Sequence, residues 1–238
     1  IRFRSKAHSA DRMVVTKTGN VGIGIASPSG ILSIPSTDTT SNPQIRFMST
    51  GATNLADAGL STTDDSGGTN LLIGSNQFYS GGSISRFTTG RSGTAIDFGY
   101  TGTMKFFTGS GNSAPTERMR VTDTGNVGIG TASPASYNSY ANNLVIYEAG
   151  HSGITIATNG TNHTSLYFAD GTSGAETYAG HLDYDHADNS LDIATNGTQA
   201  IRIDSSQNAT LAGTITTTSS TDEKIMLKGS NSPYIRFY

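Results

Sequence analysis

Arg118-Met-Arg-Val-Thr-Asp-Thr-Gly-Asn-Val-Gly-Ile-Gly-Thr-Ala-Ser-Pro134 decides the fold. Met119 and Val121 alternate with Arg118, Arg120 and Thr122, the period of two of a half-buried strand. Asp123-Thr-Gly-Asn126 supplies turn chemistry: glycine for a positive φ, and short polar side chains that bond their own backbone. Val127 and Ile129 then alternate with Gly128 and Gly130, and Pro134 ends the run because it cannot donate to a ladder. The unit is a predicted β-hairpin. Met119, Val121, Val127 and Ile129 form its apolar face.

The stretch recurs. Residues 12–28 differ from 118–134 only at Val14, Lys17 and Ile25, where the second copy has Arg120, Asp123 and Thr131. Met13, Val15, Val21 and Ile23 are the corresponding apolar set. A degenerate third copy at 200–212 keeps Ile201 and Ile203, but Thr210 and Ala212 replace the alternating glycines. Such internal repetition sets the architecture before any single residue does. The glycines of the two good copies divide into the turn pair Gly19 and Gly125, and the strand positions Gly22, Gly24, Gly128 and Gly130. Glycine weakens a strand, so a bare face implies the close approach of another backbone or ring. In a multi-chain fibre such a face would let chains crowd around an axis.

The flanks repeat as well. Ile1-Arg-Phe-Arg4, Met104-Lys-Phe-Phe-Thr108 and Leu191-Asp-Ile-Ala-Thr195 precede the three copies. Leu32-Ser-Ile34, Leu144-Val-Ile146 and Ile225-Met-Leu227 follow them. Ile45-Arg-Phe47 and Ile235-Arg-Phe237 recur further on, with Leu166-Tyr-Phe168 as the counterpart in the middle unit. The chain therefore parses into the end of one module (1–31), a complete module (32–142), a shorter one (143–222) and the start of another (223–238). Their unequal lengths place insertions in surface loops.

Composition says what such modules lack. Of 238 residues 29 are Gly, and Gly, Ser, Thr and Asn make up nearly half the chain. Leu, Ile, Val and Phe together supply about a fifth, at the edge of what can bury a core. Only 14% of residues are charged and the net charge is −3, so the chain lacks the charge typical of disorder. Strands of a few residues would leave wet apolar faces and open edges, which association covers. The expected fold is all-β with little or no helix, completed by further copies that each contribute one wall.

Other classes are excluded or weakly supported. No apolar run approaches the ~18 residues of a membrane span. No secretory leader is visible, and a chain that opens and closes in mid-pattern reads as a fragment. Cysteine is absent, which removes disulfides and thiolate metal sites. Scattered Lys and Arg do not make a nucleic-acid groove. Gly-Asn-Val-Gly-Ile-Gly lacks both the dinucleotide order and the Gly-Lys-Ser/Thr of a phosphate loop, and no helix follows it. Asp183, Asp185, His186 and Asp188 lack the glycine and closing glutamate of a calcium loop, so they read as a polar turn. His8, His151, His163, His181 and His186 stand in no catalytic context. No cofactor, metal or enzymatic activity is expected. Asn159, Asn162, Asn196 and Asn208 precede x-Thr, and read as turn chemistry. Arg12, Arg118, Arg120 and Arg202 are expected to pair with acidic groups on neighbouring strands or subunits. Phe78, Tyr79, Tyr137 and Tyr140 sit among Ser, Gly and Asn, a composition suited to receptor contact; the competing role is to plug a core.

Glu117–Pro134 resembles the repeat of bacteriophage tail fibre proteins, as do Tyr184–Leu191 and the Thr195-Asn-Gly that follows. Similar repeats occur in some large bacterial surface proteins. The resemblance covers nearly the whole chain. It implies an elongated homotrimer of β-prism or sandwich-like modules in the virion tail. The partners it implies are the chain itself, other tail or baseplate proteins, and a bacterial surface glycan or protein receptor. No nucleic acid or membrane insertion is implied. Many such proteins end in an autoproteolytic chaperone domain; none is visible here, which favours a shaft position over the tip. The alternatives are a bacterial surface adhesin or filament, and a fibre-associated polysaccharide depolymerase.

Overall fold

In a computed structural model, the residues described are 1–4, 11–35, 44–48, 57–65, 67–80 and 82–216. The apolar runs at Ile225–Leu227 and Ile235–Phe237 lie outside them. The described residues are all-β, with two short 3₁₀ turns at Pro134–Ser136 and Gly174–Tyr178 and no α-helix. The chain divides into two compact units, Ile1–Gly153 and Ile154–Tyr238.

The first unit holds three sheets. One is four-stranded, in the order β1 (Arg2–Arg4), β2 (Asp11–Val15), β3 (Val21–Ile23), β4 (Leu32–Ser33). The main sheet has eight strands: β5 (Ile45–Phe47), β6 (Ala58–Asp65), β7 (Gly68–Ser75), β10 (Gly93–Phe98), β11 (Met104–Gly109), β12 (Thr116–Val121), β13 (Val127–Ile129) and β14 (Leu144–Ile146). They follow one another in space in that order. Between β7 and β10, the insertion forms a separate hairpin of β8 (Phe78–Ser80) and β9 (Ser83–Ser85). The second unit has one five-stranded sheet, β15 (His163–Phe168), β16 (Gly180–Asp185), β17 (Ser190–Thr195), β18 (Thr198–Ile203) and β19 (Ala209–Leu211).

All neighbours are antiparallel except two pairs, β3 with β4 and β13 with β14. These are the strands that follow each motif. The sequence parse assigns Leu32-Ser-Ile34 and Leu144-Val-Ile146 to the next module. The structure instead adds them to the motif's own sheet, because the loop after Pro28 or Pro134 returns them alongside its second strand. The first compact unit runs to Gly153.

The three motif copies close identically. Thr122 N donates to Asn126 O at 2.9 Å, Gly125 N to Thr122 O at 3.0 Å, and Asn126 N to the Thr122 hydroxyl at 3.0 Å. Thr16, Gly19 and Asn20 repeat this pattern. In the third copy Asp204 replaces the threonine: its carboxylate accepts from Asn208 N at 2.9 Å, and Gln207 takes the glycine's place with a φ of 67°. Capping chemistry is thus kept while residue identity drifts.

The bare strand face has a local cause. A Cβ on Gly128 would lie 2.5 Å from Thr131 O, and one on Gly22 would lie 2.5 Å from Ile25 O. The chain's own return loop occupies the space expected for a neighbouring chain, so the crowded-axis expectation is corrected for these glycines. Gly130 carries a second constraint. Its φ is 73°, and a Cβ there would meet Tyr147 O at 2.1 Å, where β14 leaves the sheet.

Candidate interaction surfaces

Register aligns the main sheet into rows. Ile45, Leu60, Ile73, Ile96, Phe106, Met119, Ile129 and Ile146 stand directly opposite one another, one from each of the eight strands. Two residues along lies a second row, Thr62, Leu71, Phe98, Met104, Val121, Val127 and Leu144. Side chains two apart on a strand share a face. One face of the sheet therefore carries a stripe two residues wide and, in its first row, eight strands long. Much of it is open: Ile73 is 46% exposed and Leu144 is 54% exposed. A concavity of about 520 Å³ opens on this face, where Ala58, Ser75, Thr94 and Thr108 form a row of smaller side chains beside Ile73, Ile96 and Phe106.

The same design recurs on the four-stranded and the five-stranded sheet. Phe3, Met13 and Ile23 form one row of the four-stranded sheet, and Val15, Val21 and Leu32 form the next. In the second unit the rows are Leu166–Leu182–Ile193–Ile201–Leu211 and Thr164–Tyr184–Leu191–Ile203–Ala209. Leu166, Leu182 and Leu211 are all at least 40% exposed. All ten residues expected to form an inter-chain core thus lie in these rows. The structure also adds Ile73, Ile96, Phe98, Phe106 and Leu182. Strand alternation signals each of them, but only register shows that they are collinear.

The opposite face of the main sheet is polar and partly covered. Strand alternation puts Phe107, next to Phe106 on β11 and opposite Ala95, onto it. There Leu72, Tyr79 and Ala95 form a small core, with Ile84 and Phe107 against it. The β8–β9 hairpin is the lid over this core. Phe78 and Tyr79 are buried, Phe78 stacked on Phe87 with ring centroids 4.6 Å apart. They are therefore core residues, and their reading as receptor contacts is corrected. Tyr137 and Tyr140 are exposed, Tyr140 by 96%, and remain accessible.

Beneath the lid the Tyr79 hydroxyl donates to Asp97 at 2.6 Å, and Lys105 Nζ lies 3.3 Å from the same carboxylate. Burial, then the hydrogen bond to Asp97 and its charge, push the Tyr79 phenol far above its ordinary value. Asn76 secures the lid's far loop by donating to Thr88 O and Arg91 O, each at 3.0 Å. Gln77 lies over Gly93, where a Cβ would meet its side chain at 2.9 Å, and among the described residues its buried amide has no hydrogen-bond partner. Tyr79→Phe leaves one oxygen of the buried Asp97 without its donor, and is expected to cost about 1–3 kcal/mol. Urea unfolding of the variant against the parent measures this; equal midpoints would show that the bond is not structural.

Charges occupy the polar faces in short-range pairs. Arg120 Nε and Nη2 each lie 2.6 Å from Glu117 on the same strand, and the hydrogen bond to Glu117 raises the Arg120 pKa. Arg118 Nε reaches Thr108 at 3.0 Å. Arg202 bridges Asp192 at 3.0 Å and Asp188. This cross-strand pattern is the one expected of Arg202, whereas Arg120 pairs within its own strand.

The polar cluster around Asp183 lies on the strands β15 and β16 rather than in the turn expected for Asp183 and Asp185, which are strand residues. Asp183 accepts from Ser165 and lies 2.7 Å from His163 Nδ1. The hydrogen bond to Asp183, then its charge, raise the His163 pKa above that of a free histidine. Burial pushes Asp183 up, but the hydrogen bonds from Ser165 and His163 outweigh it and hold the carboxyl low. Stabilisation from the raised histidine is complete below about pH 6.5 and is lost as pH rises through its folded value. Stabilisation from the lowered aspartate is lost as pH falls below the ordinary carboxylate range. Asp183→Asn is expected to return the His163 titration, followed by NMR, toward about 6.5; an unmoved midpoint would show that Asp183 does not set it.

Among the described residues no group of three or more His, Asp or Glu is placed to hold a metal ion. No helix among them is long and apolar enough to cross a membrane. No protein-family model and no curated protein matches the chain.

Proposed function

We propose that this chain is a structural and adhesive segment of a homotrimeric tail fibre, its modules serving as stiff spacers that carry surface loops toward a bacterial host. The observation that carries the proposal is the apolar stripe, present on every one of the three large sheets and open in the single chain. Fully burying a Leu, Ile or Phe side chain is worth about 1.5–3 kcal/mol relative to leaving it exposed. A row of half-exposed residues is thus a strong drive to associate, and contiguous patches of this kind mark interaction sites.

The stripe also suggests a direction. Adjacent strands lie about 4.8 Å apart, so the eight-stranded sheet is roughly 34 Å across its strands. Its strands are only three to eight residues long. The apolar rows run along the sheet's longer dimension, as the lining of an elongated assembly would. The resemblance of the motif to tail-fibre repeats favours three copies around an axis over two copies stacked as a sandwich.

Function then divides by face. Apolar faces turn inward, while the polar faces with their lid, ion pairs and loops turn outward. Exposed Tyr137 and Tyr140 are the remaining aromatic candidates for receptor contact. Three copies of each loop on a fibre would convert weak contacts into avidity. Negative-stain electron microscopy tests the proposal: thin rods with three-fold averaged cross-sections are expected, and isolated globular particles would contradict it.

A further inference from the structure

One extended run in the second unit has no sheet. In Ile154-Thr-Ile-Ala-Thr158 every residue is exposed, Ile154 by 70% and Ile156 by 52%. Among the described residues, no backbone group of 153–158 makes a backbone hydrogen bond. Yet its composition is that of a strand, with β-branched residues in alternation and no proline.

The repeat shows where such a strand belongs. Counting back from the motif hairpin, β18, β17, β16 and β15 occupy the places that β12, β11, β10 and β7 hold in the main sheet. The next place, filled there by β6, is vacant beside β15 among the described residues. In the main sheet Leu60 of β6 pairs with Ile73 of β7 and continues the apolar row. The corresponding edge, His163-Thr-Ser-Leu-Tyr-Phe168, carries no Lys or Pro to blunt it, and an unprotected edge invites another strand.

The chain's own turn works against filling that place from within. Asn162 N donates to Asn159 O at 3.3 Å, a two-residue turn. Continued as a hairpin, this turn would set Ile156 opposite Ser165 and Ile154 opposite Tyr167. Those residues align with Asp183, Asp192 and His181 on the charged face. A register wrong by one residue sends every side chain to the wrong face. The same run supplied by another chain is free of that turn. It can pair antiparallel with Ile154 opposite Leu166 and Ile156 opposite Thr164, so that both isoleucines extend the apolar rows.

We infer that residues 154–158 add as an edge strand to β15 of a neighbouring copy of this chain, interlocking the protomers by strand exchange. The inference rests on the assembly proposed above, and adds to it a specific contact between named edges. In the expected register Thr155 stands opposite Ser165 on the outward face. The chain has no cysteine, so Thr155→Cys with Ser165→Cys introduces one defined pair. After mild oxidation, a denaturing gel without reductant is expected to show most chains in covalent multimers. Each single-cysteine variant should remain monomeric on the same gel. Native mass is measured on the same oxidised sample. A trimer whose thiols stay free, or bond only within one chain, would overturn strand exchange and leave the assembly standing. A native monomer would overturn both.

Discussion

Ile73→Asp is expected to leave the single chain nearly as stable as its parent and to abolish assembly. Ile73 is 46% exposed in the isolated chain, so water can still solvate a carboxylate there, and the loss is expected to stay near 1 kcal/mol. In the assembly the same position faces the shared interior, and every copy would bury an unpaired charge. Each such charge costs several kcal/mol even after relaxation, and 1.4 kcal/mol is a factor of ten in an equilibrium constant. Association should therefore fall by several orders of magnitude. Ser110→Asp, on the exposed turn after β11, introduces the same charge without touching the stripe and should assemble as the parent does. Size-exclusion chromatography with light scattering separates the outcomes. An Ile73→Asp protein that still forms the parental oligomer would show that the stripe is not the interface.

Gly130→Ala is expected to be the most damaging single-methyl change in the motif. Its φ of 73° costs an L-residue about 1–2 kcal/mol. Its added Cβ would also overlap the Tyr147 carbonyl at 2.1 Å, overpacking typically worth a further 1–3 kcal/mol. That carbonyl belongs to the residue whose N–H bonds Ile129 O at 2.9 Å, so the strain falls on the β13–β14 pairing. Gly125→Ala separates the two effects. Its φ is 87°, but no atom lies within 4 Å of the added methyl, so only the backbone cost of about 1–2 kcal/mol remains. Thermal unfolding should rank the parent above Gly125→Ala and Gly125→Ala above Gly130→Ala. Equal losses would mean that the loop gives way and the contact at Tyr147 is not a constraint.

The motif was legible because its information is local. Alternation assigns Met119, Val121, Val127 and Ile129 to one face, and Thr-x-x-Gly-Asn identifies the turn, with no knowledge of the rest of the chain. The glycine face was half legible. That something approaches Gly128 follows from the missing side chain, but which backbone does so depends on the path of the Thr131–Pro134 loop. Phe78 and Tyr79 show the limit more sharply. Their neighbours are polar and suggest a surface loop, yet the rings fold under a hairpin whose partners, Asp97 and Phe87, are separated from them in sequence. The bulge that skips Arg118 between the Phe106–Met119 and Phe107–Glu117 pairs is equally silent. The run at 154–158 reads as a strand by composition, and only the register of the second sheet shows that, among the described residues, the place beside β15 is unfilled.

Those features converge on one claim, that the core of this protein is shared between copies. A fifth of the chain in Leu, Ile, Val and Phe suffices if each sheet buries its apolar face against its symmetry mates. Sedimentation equilibrium on the recombinant chain at micromolar concentration tests that claim most directly. A single species at three times the 24.8 kDa of one chain is the expected result. A stable, compact species at the mass of one chain, with the stripe left in water, would contradict it.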